Sequence, residues 1–257
     1  MSRLVLTPFC LAVVLALACD SSTPGPGQVR VANLIPDGPS AIDVCIKPDS
    51  AAAFGTPLVG GGGLSYPQLS TRTGFDAGTY SVRLVAAGTT CSNSLNGLGD
   101  VSASIVADNP QTLVLAGRFT GTGNPSLSVS VIGDRIAPSA SGSVLLRAMN
   151  AALGSNPQDV GVVGGSAFSP FATNIAFGAV SDYQQISGIT PGSPTVTAPL
   201  ASRDTGSGPV WAQGTFNNLA DTGVYTVFVI GVPGQSGTPR PSMLLCADGS
   251  VNCSQNP

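Results

Sequence analysis

The side chains that could do chemistry in this chain are 13 acidic residues, all of them aspartate, ten basic residues and six cysteines, with no histidine. Without an imidazole, Ser-His-Asp and Cys-His catalysis, His-rich zinc sites and an imidazole general base are excluded. A serine or threonine nucleophile also lacks a base, because the only lysine, Lys47, lies in an Ile-Lys-Pro-Asp sequence that predicts a solvated side chain. We therefore expect no enzyme activity and no cofactor.

Aspartate pairs remain as a catalytic alternative, because glycosidases use two carboxylates about 5–10 Å apart. Asp43 and Asp159 occupy matching positions in two similar halves of the chain. Five others lie beside glycine or within turns: Asp37, Asp76, Asp134, Asp221 and Asp248. Calcium can bind such loops, but no Asp-x-Asp-x-Asp-Gly string occurs, and aspartate commonly accepts N–H groups in turns. We expect turn capping for the five, an edge-strand or loop position for Asp43 and Asp159, and no metal; an Asp-dependent hydrolase is the weakest alternative.

Arginines and aromatic residues offer two further kinds of site. Arg30 and Arg147 match each other across the halves, which predicts strand arginines that cover apolar surface or pair with aspartate. An aromatic platform for a sugar would have to come from four residues: Trp211, Tyr66, Tyr183 and Tyr225. A carbohydrate-binding module is therefore an alternative function, although in a chain with 5% aromatic residues we expect the only tryptophan, Trp211, to belong to the core.

The first 18 residues have the features of a secretory signal peptide. Met1–Arg3 is short and cationic, and residues 9–18 are all apolar, a run too short for the roughly 20 residues of a membrane-spanning helix. Residues 16–19, Ala-Leu-Ala-Cys, fit both an ordinary signal-peptidase site and a lipobox in which Cys19 becomes the lipidated first residue. Both interpretations place the cleavage before Cys19.

Cysteine counting separates the two interpretations. Four of the five cysteines left after cleavage can form two disulfides in an oxidising compartment: Cys45, Cys91, Cys246 and Cys253. We expect the local pairing, Cys45 with Cys91 and Cys246 with Cys253, and lipidation then accounts for the odd Cys19. The prediction is an exported, membrane-anchored lipoprotein in the periplasm or on the outer cell surface, with plain secretion as the alternative.

The expected partners follow from anchoring and charge. The membrane is one partner, through the lipid, and an envelope protein or glycan is another. The formal net charge of −3 provides no basic surface for nucleic acid. The function predicted is a non-catalytic, structural or protein-binding role in the cell envelope.

The elements that must position these residues are β-strands. Charged residues make up only 9% of the chain, against about 25% in average domains. Apolar residues alternate with period two in residues 80–85, 127–132 and 224–230, and turn signals separate such runs. The predicted fold class is all-β, with two tandem antiparallel β-sandwich domains of the immunoglobulin-like or transthyretin-like kind.

The chain repeats itself at a period of about 114 residues. Residues 29–33 (Val-Arg-Val-Ala-Asn) recur as 146–150 (Leu-Arg-Ala-Met-Asn), and residues 113–117 recur as 227–231. The predicted division is a signal peptide (1–18), a lipid-anchor cysteine and flexible tether (19–27), a first sandwich (28–134), a linker (135–142), a second sandwich (143–246) and a C-terminal tail (247–257).

Two motifs resemble the bacterial family known as domain of unknown function 4397. They are residues 30–39 (Arg-Val-Ala-Asn-Leu-Ile-Pro-Asp-Gly-Pro) and residues 76–83 (Asp-Ala-Gly-Thr-Tyr-Ser-Val-Arg). The second half is similar through residues 177–183 but lacks the Pro-Asp-x-Pro element, and Asn33 and Asn150 stand where the family pattern has histidine. The resemblance implies an extracytoplasmic β-sandwich, often in tandem, with no established activity.

Overall fold

The computed structural model describes residues 25–119, 125–187, 196–206, 208–232, 239–251 and 253–256. The predicted signal peptide, Cys19 and most of the predicted tether lie outside these ranges. Within them, the chain consists of strands, connecting loops and one short 3-10 helix at Leu95–Gly97. None of the helical structure in this part of the chain is long and apolar enough to cross a membrane.

The first half of the chain forms two sheets packed face to face. Its strands are β1 (Gly27–Asn33), β2 (Ala41–Pro48), β3 (Leu64–Ser65), β4 (Gln68–Leu69), β5 (Thr73–Phe75), β6 (Gly78–Ala86), β7 (Val101–Ile105), β8 (Pro110–Ala116) and β9 (Ser128–Gly133). The first outer sheet has the order β3-β2-β6-β7. In the first inner sheet, β1 lies between β8 and the short strands β4 and β5, and β9 follows β8.

The second half repeats this arrangement. Its strands are β10 (Ser143–Asn150), β11 (Gln158–Gly164), β12 (Ala167–Ile175), β13 (Gln184–Ser187), β14 (Val196–Asp204), β15 (Val210–Leu219), β16 (Val224–Ile230), β17 (Ser242–Ala247) and β18 (Cys253–Asn256). The second inner sheet has the order β13-β10-β16-β17-β18, and the second outer sheet has the order β12-β11-β14-β15. The all-β, sandwich-type prediction is confirmed.

One strand pair in each sandwich runs parallel, which the sequence analysis did not anticipate. β1 pairs in parallel with β8, and β10 with β16, while the other pairings between these strands are antiparallel. Parallel strands occur where both faces of a sheet are covered. That condition holds here, because nearly every residue of these four strands is buried.

Each sandwich encloses its own core between its inner and outer sheet. On the inner strands alternate residues point into it, as Val29 and Val31 do from β1 and Val227 and Val229 do from β16. The intervening residues of the same strands point the other way, because successive side chains of a strand lie on opposite faces. The two cores therefore use only half of the apolar residues of the inner sheets.

The remaining apolar residues form a third core that joins the sandwiches. Its fully or largely buried members come from both inner sheets: Ala32, Leu34, Val114, Ala116, Ile132, Met149, Ala151, Phe228, Ile230, Leu244 and Cys246. The far faces of the two inner sheets are therefore apolar and buried, because each inner sheet covers the other. The four sheets stack in the order outer, inner, inner, outer.

The segments outside the sandwiches also take part in the structure. Residues 135–142, the predicted linker, contain no strand and are bonded to the second sandwich, since the Gly142 N–H donates to Asp221 (2.8 Å). Residues 247–257, expected to be a tail, contain β18, which pairs with β17 at the edge of the second inner sheet.

The shared core generates a prediction at Phe228, which is fully buried in it. Phe228→Ala is expected to lower the free energy of unfolding by about 3–5 kcal/mol, because it leaves a cavity between two sheets. Denaturant unfolding followed by Trp211 fluorescence and by circular dichroism should give one coincident transition, since both sandwiches lose a common core.

Ile136→Ala is the matched control, because this side chain is 63% exposed. It should change the stability by less than about 0.5 kcal/mol. Two separate transitions, or equal effects of the two substitutions, would contradict a shared core.

Candidate functional site

The two inner sheets bring charged side chains together at one end of the third core. We call this group the interdomain cluster, and its members are Arg30, Arg72, Thr112, Asp134, Arg147, Tyr183, Thr226 and Asp248. The side chains of Arg30, Asp134 and Asp248 have no solvent exposure. In a chain with so few charged residues, this is the densest group of charge that the described residues contain.

Each sandwich contributes the same three-residue relay. In the first, the Arg30 Nε donates to Thr112 (2.9 Å), and the Thr112 hydroxyl donates to Asp134 (2.6 Å). The strand register places them, because Arg30 and Thr112 are direct partners in the parallel pair β1–β8 and Asp134 follows β9.

The second sandwich has the corresponding relay from β10, β16 and the end of β17. The Arg147 Nε donates to Thr226 (2.9 Å), and the Thr226 hydroxyl donates to Asp248 (2.7 Å). The two relays therefore face each other across the seam between the inner sheets.

The arginines link the two relays. Arg147 crosses to the first sandwich, where it donates to Asp134 (2.7 Å) and to the carbonyl of Gly133 (2.6 Å). Arg30 crosses in the opposite direction and donates to the carbonyls of Ala247 and Ser250. Each guanidinium group thus bonds its own threonine through Nε and the opposite sandwich through its terminal nitrogens.

Arg72 and Tyr183 complete the cluster from equivalent sides. Arg72, just before β5, donates to Asp134 (2.6 Å). Tyr183, just before β13, donates a hydrogen bond from its hydroxyl to Asp248. The centre of its ring lies 4.5 Å from Cζ of Arg147, so the guanidinium group stacks on the ring. Arg72 is a cation and Tyr183 is neutral. The cluster therefore holds three guanidinium groups and two carboxylates.

Exclusion of solvent from the cluster shifts the pKa values of Arg30 and Tyr183. Burial lowers the pKa of Arg30, while the neighbouring Asp134 and Asp248 act in the opposite direction. Burial also raises the pKa of Tyr183, and the Asp248 carboxylate adds to that effect. One terminal nitrogen of Arg30 has no hydrogen-bond partner and relies on ion pairs with Asp134 (3.4 Å) and Asp248 (3.8 Å).

The two carboxylates are close enough for a paired-acid mechanism but lack access. Arg147 Nη2 lies 2.7 Å from Asp134 and 3.7 Å from Asp248, so their separation falls below the roughly 10 Å upper limit for glycosidases. Both are fully enclosed and neutralised by arginines, whereas a general acid or base must reach its substrate. This aspartate pair can bind the sandwiches together, and it cannot attack a glycosidic bond from this position.

The role expected for these two aspartates is wrong, and the expected pairing of arginine with aspartate did not specify which aspartates take part. Asp134 and Asp248 were expected to cap turns; instead they are the anions of the cluster, because the inner sheets bury the strand ends that precede them. The expected pairing of Arg30 and Arg147 with aspartate is what the structure contains. The repeat contained a signal for these residues. Thr112 and Thr226 are separated by the same number of residues as the repeated blocks 113–117 and 227–231, and so are Asp134 and Asp248.

Asp43 and Asp159 lie far along their sandwiches and play a different role. Each is buried in an interior strand, β2 or β11, so the expected edge-strand or loop position is wrong. Asp43 accepts the N–H groups of Val59 (2.9 Å) and Gly60 (2.8 Å), and Asp159 accepts those of Asn174 (2.8 Å) and Gly206 (3.0 Å). The segments that pass over each aspartate leave backbone N–H groups without strand partners. The buried carboxylate accepts these N–H groups, which would otherwise lack a hydrogen-bond acceptor.

The other aspartates singled out by the sequence have backbone roles. Asp37 accepts the Phe119 N–H (2.8 Å), Asp221 accepts the Gly142 N–H, and the Asp76 carbonyl accepts the Tyr80 hydroxyl (2.8 Å). Among the described residues, no group of three or more His, Cys, Asp or Glu side chains could hold a metal ion.

Asn33 and Asn150 stand at the family's histidine position and have matching contacts. The Asn33 side chain donates to the Leu64 carbonyl (2.8 Å) and accepts the Ile35 N–H (3.2 Å). Asn150 donates to the Ile175 carbonyl (3.1 Å) and accepts the N–H of Ala152 (3.1 Å). Both residues tie the end of an inner strand to a strand of the outer sheet, β3 for Asn33 and β12 for Asn150.

The aromatic residues do not assemble a platform. Trp211 is partly buried and packs against the second sandwich core, and Tyr225 is buried and accepts the Ala220 N–H (2.7 Å). Tyr66 packs against the third core with its hydroxyl buried and without a hydrogen-bond partner. Trp211 and Tyr225 thus belong to the second sandwich core, whereas Tyr66 packs on the third core and Tyr183 lies in the interdomain cluster, so the four aromatic residues lie in three separate surroundings.

The disulfides have the expected local pairing. Cys45 is joined to Cys91 across the outer surface of the first outer sheet, and Cys246 to Cys253 across β17 and β18. In the chain-entropy model, closing loops of these lengths stabilises the fold by about 2–4 kcal/mol each. Cys19 lies outside the described residues.

Residues 27–161 match the model of a family described as "Domain of unknown function (DUF4397)". The chain belongs to the DUF4397 family. The match covers the whole first sandwich and continues through β10 into β11, so it includes both Arg30 and Arg147. No curated protein matches this chain.

Three solved structures resemble the chain only distantly. The Bacillus anthracis TIE protein is 9% identical, with 81% of this chain and 34% of that protein covered and a TM-score of 0.25. A leucine-rich repeat protein from Bacteroides thetaiotaomicron is 12% identical (78% and 25% covered, TM-score 0.23). CBMbc, a family CBM26 module of Eubacterium rectale Amy13K in complex with maltoheptaose, is 11% identical (90% and 97% covered, TM-score 0.23). The DUF4397 chain spans 34% and 25% of the first two, and TM-scores this low carry no argument about function.

Asp134 is the carboxylate that Arg30, Arg72 and Arg147 share, so its substitution tests the enclosed cluster. Asp134→Asn is expected to lower the free energy of unfolding by about 3–5 kcal/mol, because it leaves buried guanidinium groups without their anion. Asp182→Asn, at an exposed residue, removes the same charge and should cost less than about 0.5 kcal/mol. Denaturant unfolding measures both, and equal stabilities of the two variants would refute the structural importance of the cluster.

Burial raises the pKa of all four tyrosines, Tyr66, Tyr80, Tyr183 and Tyr225. The folded state therefore favours the neutral phenol, and this contribution to stability is complete below the unfolded pKa of about 10 and is lost as the pH rises above it. Tyrosinate absorbance should appear only together with unfolding, and Tyr183→Phe should make the alkaline loss of stability less steep. Tyrosinate absorbance near pH 10 in a protein with native circular dichroism would contradict this.

Proposed function

We propose that this DUF4397 protein is a non-catalytic, lipid-anchored component of the bacterial cell envelope, in which two copies of the family domain act as one rigid structural or protein-binding body. Cys19 carries the lipid in this proposal, and residues 20–26 form the tether to β1. The observation that carries it is the interdomain cluster, in which Arg30 and Arg147 each bond the opposite sandwich.

The cluster favours a scaffold because an interface of this kind opposes relative motion of the two domains. A hinge between sandwiches needs a small, polar interface, whereas this one combines a continuous apolar core with buried ion pairs. Loops at the ends of such a body keep fixed distances from one another. Fixed loops on a rigid scaffold suit the recognition of a partner protein.

The disulfides support an exported location. The two disulfides are consistent with export, because such bonds form in oxidising compartments. The matching connectivity of the two sandwiches supports a second copy of the domain beyond the matched range. Anchoring through Cys19 would hold the body close to the membrane, because the seven residues 20–26 reach at most about 25 Å.

Metabolic labelling with a fatty-acid analogue in bacteria tests the anchor. We expect the label on the wild-type protein, with the protein in the membrane fraction. Cys19→Ala should abolish the label and release the protein into the soluble exported fraction. Cys10→Ala is the matched control, since it removes a cysteine from the predicted signal peptide and should leave the label in place.

Two outcomes would overturn the proposal. Absence of label from the wild-type protein would end the lipid-anchor assignment and favour plain secretion. Label that persists in Cys19→Ala would place the modification elsewhere in the chain.

A further inference from the structure

A second site lies on the first outer sheet, on the side that faces away from the core. It is a cavity of about 570 Å³, and its wall includes Lys47, Phe54, Arg83, Thr90, Ser92 and Asp100. Its size is that of small-molecule sites, which run from about 300 to 1,000 Å³. None of these residues belongs to the interdomain cluster.

Arg83 and Phe54 form a rigid part of the wall. The Arg83 guanidinium bonds both oxygens of Asp100 (2.7 and 2.8 Å) and the carbonyl of Cys91 (2.8 Å). It also lies 4.4 Å from the centre of the Phe54 ring, which packs against the Cys45–Cys91 disulfide. The bond with Asp100 raises the pKa of Arg83 and lowers the pKa of Asp100, so both groups stay charged at neutral pH.

Lys47 is the charged residue of this wall that lies outside the Arg83–Asp100 ion pair. Lys47, for which the sequence predicts a solvated side chain, is half-buried, and its ammonium group lies 5.5 Å from the centre of the Phe54 ring. It donates one hydrogen bond, to the Ala51 carbonyl (2.8 Å). An ammonium group has three donors, so the only lysine of the chain is held at the cavity with donors to spare.

The second sandwich provides an internal comparison for this site. The registers of β2 with β6 and of β11 with β14 make Lys47 equivalent to Val163 and Arg83 equivalent to Ala201. The fold is the same at both places, yet the second copy carries neither charge. The charged wall is therefore a property of the first sandwich alone, and the architecture does not require it.

We propose that this cavity binds an acidic saccharide unit, whose carboxylate pairs with Lys47 and whose hydroxyl groups bond the polar wall. A compact ammonium group is suited to a single oxyanion. The Asp100 carboxylate and the hydroxyl groups of Thr90 and Ser92 supply the acceptors and donors that a polyhydroxylated body needs. This site goes beyond the proposed scaffold role and does not depend on the anchor at Cys19.

The single lysine makes a direct test available on the full chain. Protein that contains ¹³C-labelled lysine has one ε-methylene resonance in its NMR spectrum, and it reports on Lys47 alone. Titration with D-glucuronate should shift this resonance saturably, D-glucose should not, and added salt should weaken the effect because the contact is ionic. Inorganic sulfate serves as the bare-anion probe and should bind more weakly than glucuronate.

Charge-removing variants test the assignment to this cavity. Lys47→Met should weaken glucuronate binding about tenfold or more, as expected for loss of a charged hydrogen bond, measured by amide resonances of the ¹⁵N-labelled protein. Arg203→Met is the matched control, because Arg203 also stacks on a phenylalanine, Phe168 (4.0 Å), but in the second sandwich. It should leave binding unchanged, and thermal unfolding should show that both variants are folded.

Three results would overturn the inference. They are the absence of saturable glucuronate binding to the wild-type protein, equal binding of glucose or sulfate, and equal losses in the two variants. Each can be told apart from a failure of the lipid anchor, since the titration uses purified protein without its lipid.

Discussion

The structure depends on the burial of opposite charges where the two inner sheets meet. Taking Arg30, Arg147, Asp134 and Asp248 out of water is unfavourable unless every group finds a partner. The apolar residues of the third core supply the association, because they gain by leaving water. The charges select the alignment, since a sheet shifted by one residue would turn the arginines away from their aspartates. The interface between the two inner sheets therefore fixes the arrangement of all four sheets.

Comparison of the two halves separates what the fold needs from what it does not. The arginine, threonine and aspartate of each relay occur in both halves, as do Asn33 and Asn150, and all of them bond backbone or one another in equivalent ways. Such residues serve the fold itself, because they bond the ends of the inner strands and hold the two inner sheets together. Lys47 has no counterpart, and neither does its charged neighbour Arg83. Where the two halves differ in charge the fold does not require that charge, and this difference is the basis of the proposed ligand site.

Much of the fold could be predicted, and the site could be predicted only in part. Alternation of apolar residues and frequent turn residues identified strands, and cysteine spacing indicated the disulfide pairs. The repeat singled out Arg30 and Arg147, but it did not reveal that their anions were Asp134 and Asp248, because those residues look like ordinary turn aspartates. The half-buried position of Lys47 at a cavity was not predicted either, since Phe54 and Arg83 come together beside it only in the folded chain.

What the sequence determined by itself is local: strand periodicity, turns, sulfur pairing and the near-absence of charge are properties of neighbouring residues. The tertiary structure alone decided which face of each sheet is covered and which charges meet. The inner strands are apolar on both faces, but a strand cannot specify what will cover it. Arg147 and Asp134 lie in different sandwiches and act as partners only after two preformed sheets have met. Desolvation of a charge depends on everything that surrounds it in space, and no stretch of sequence contains that information.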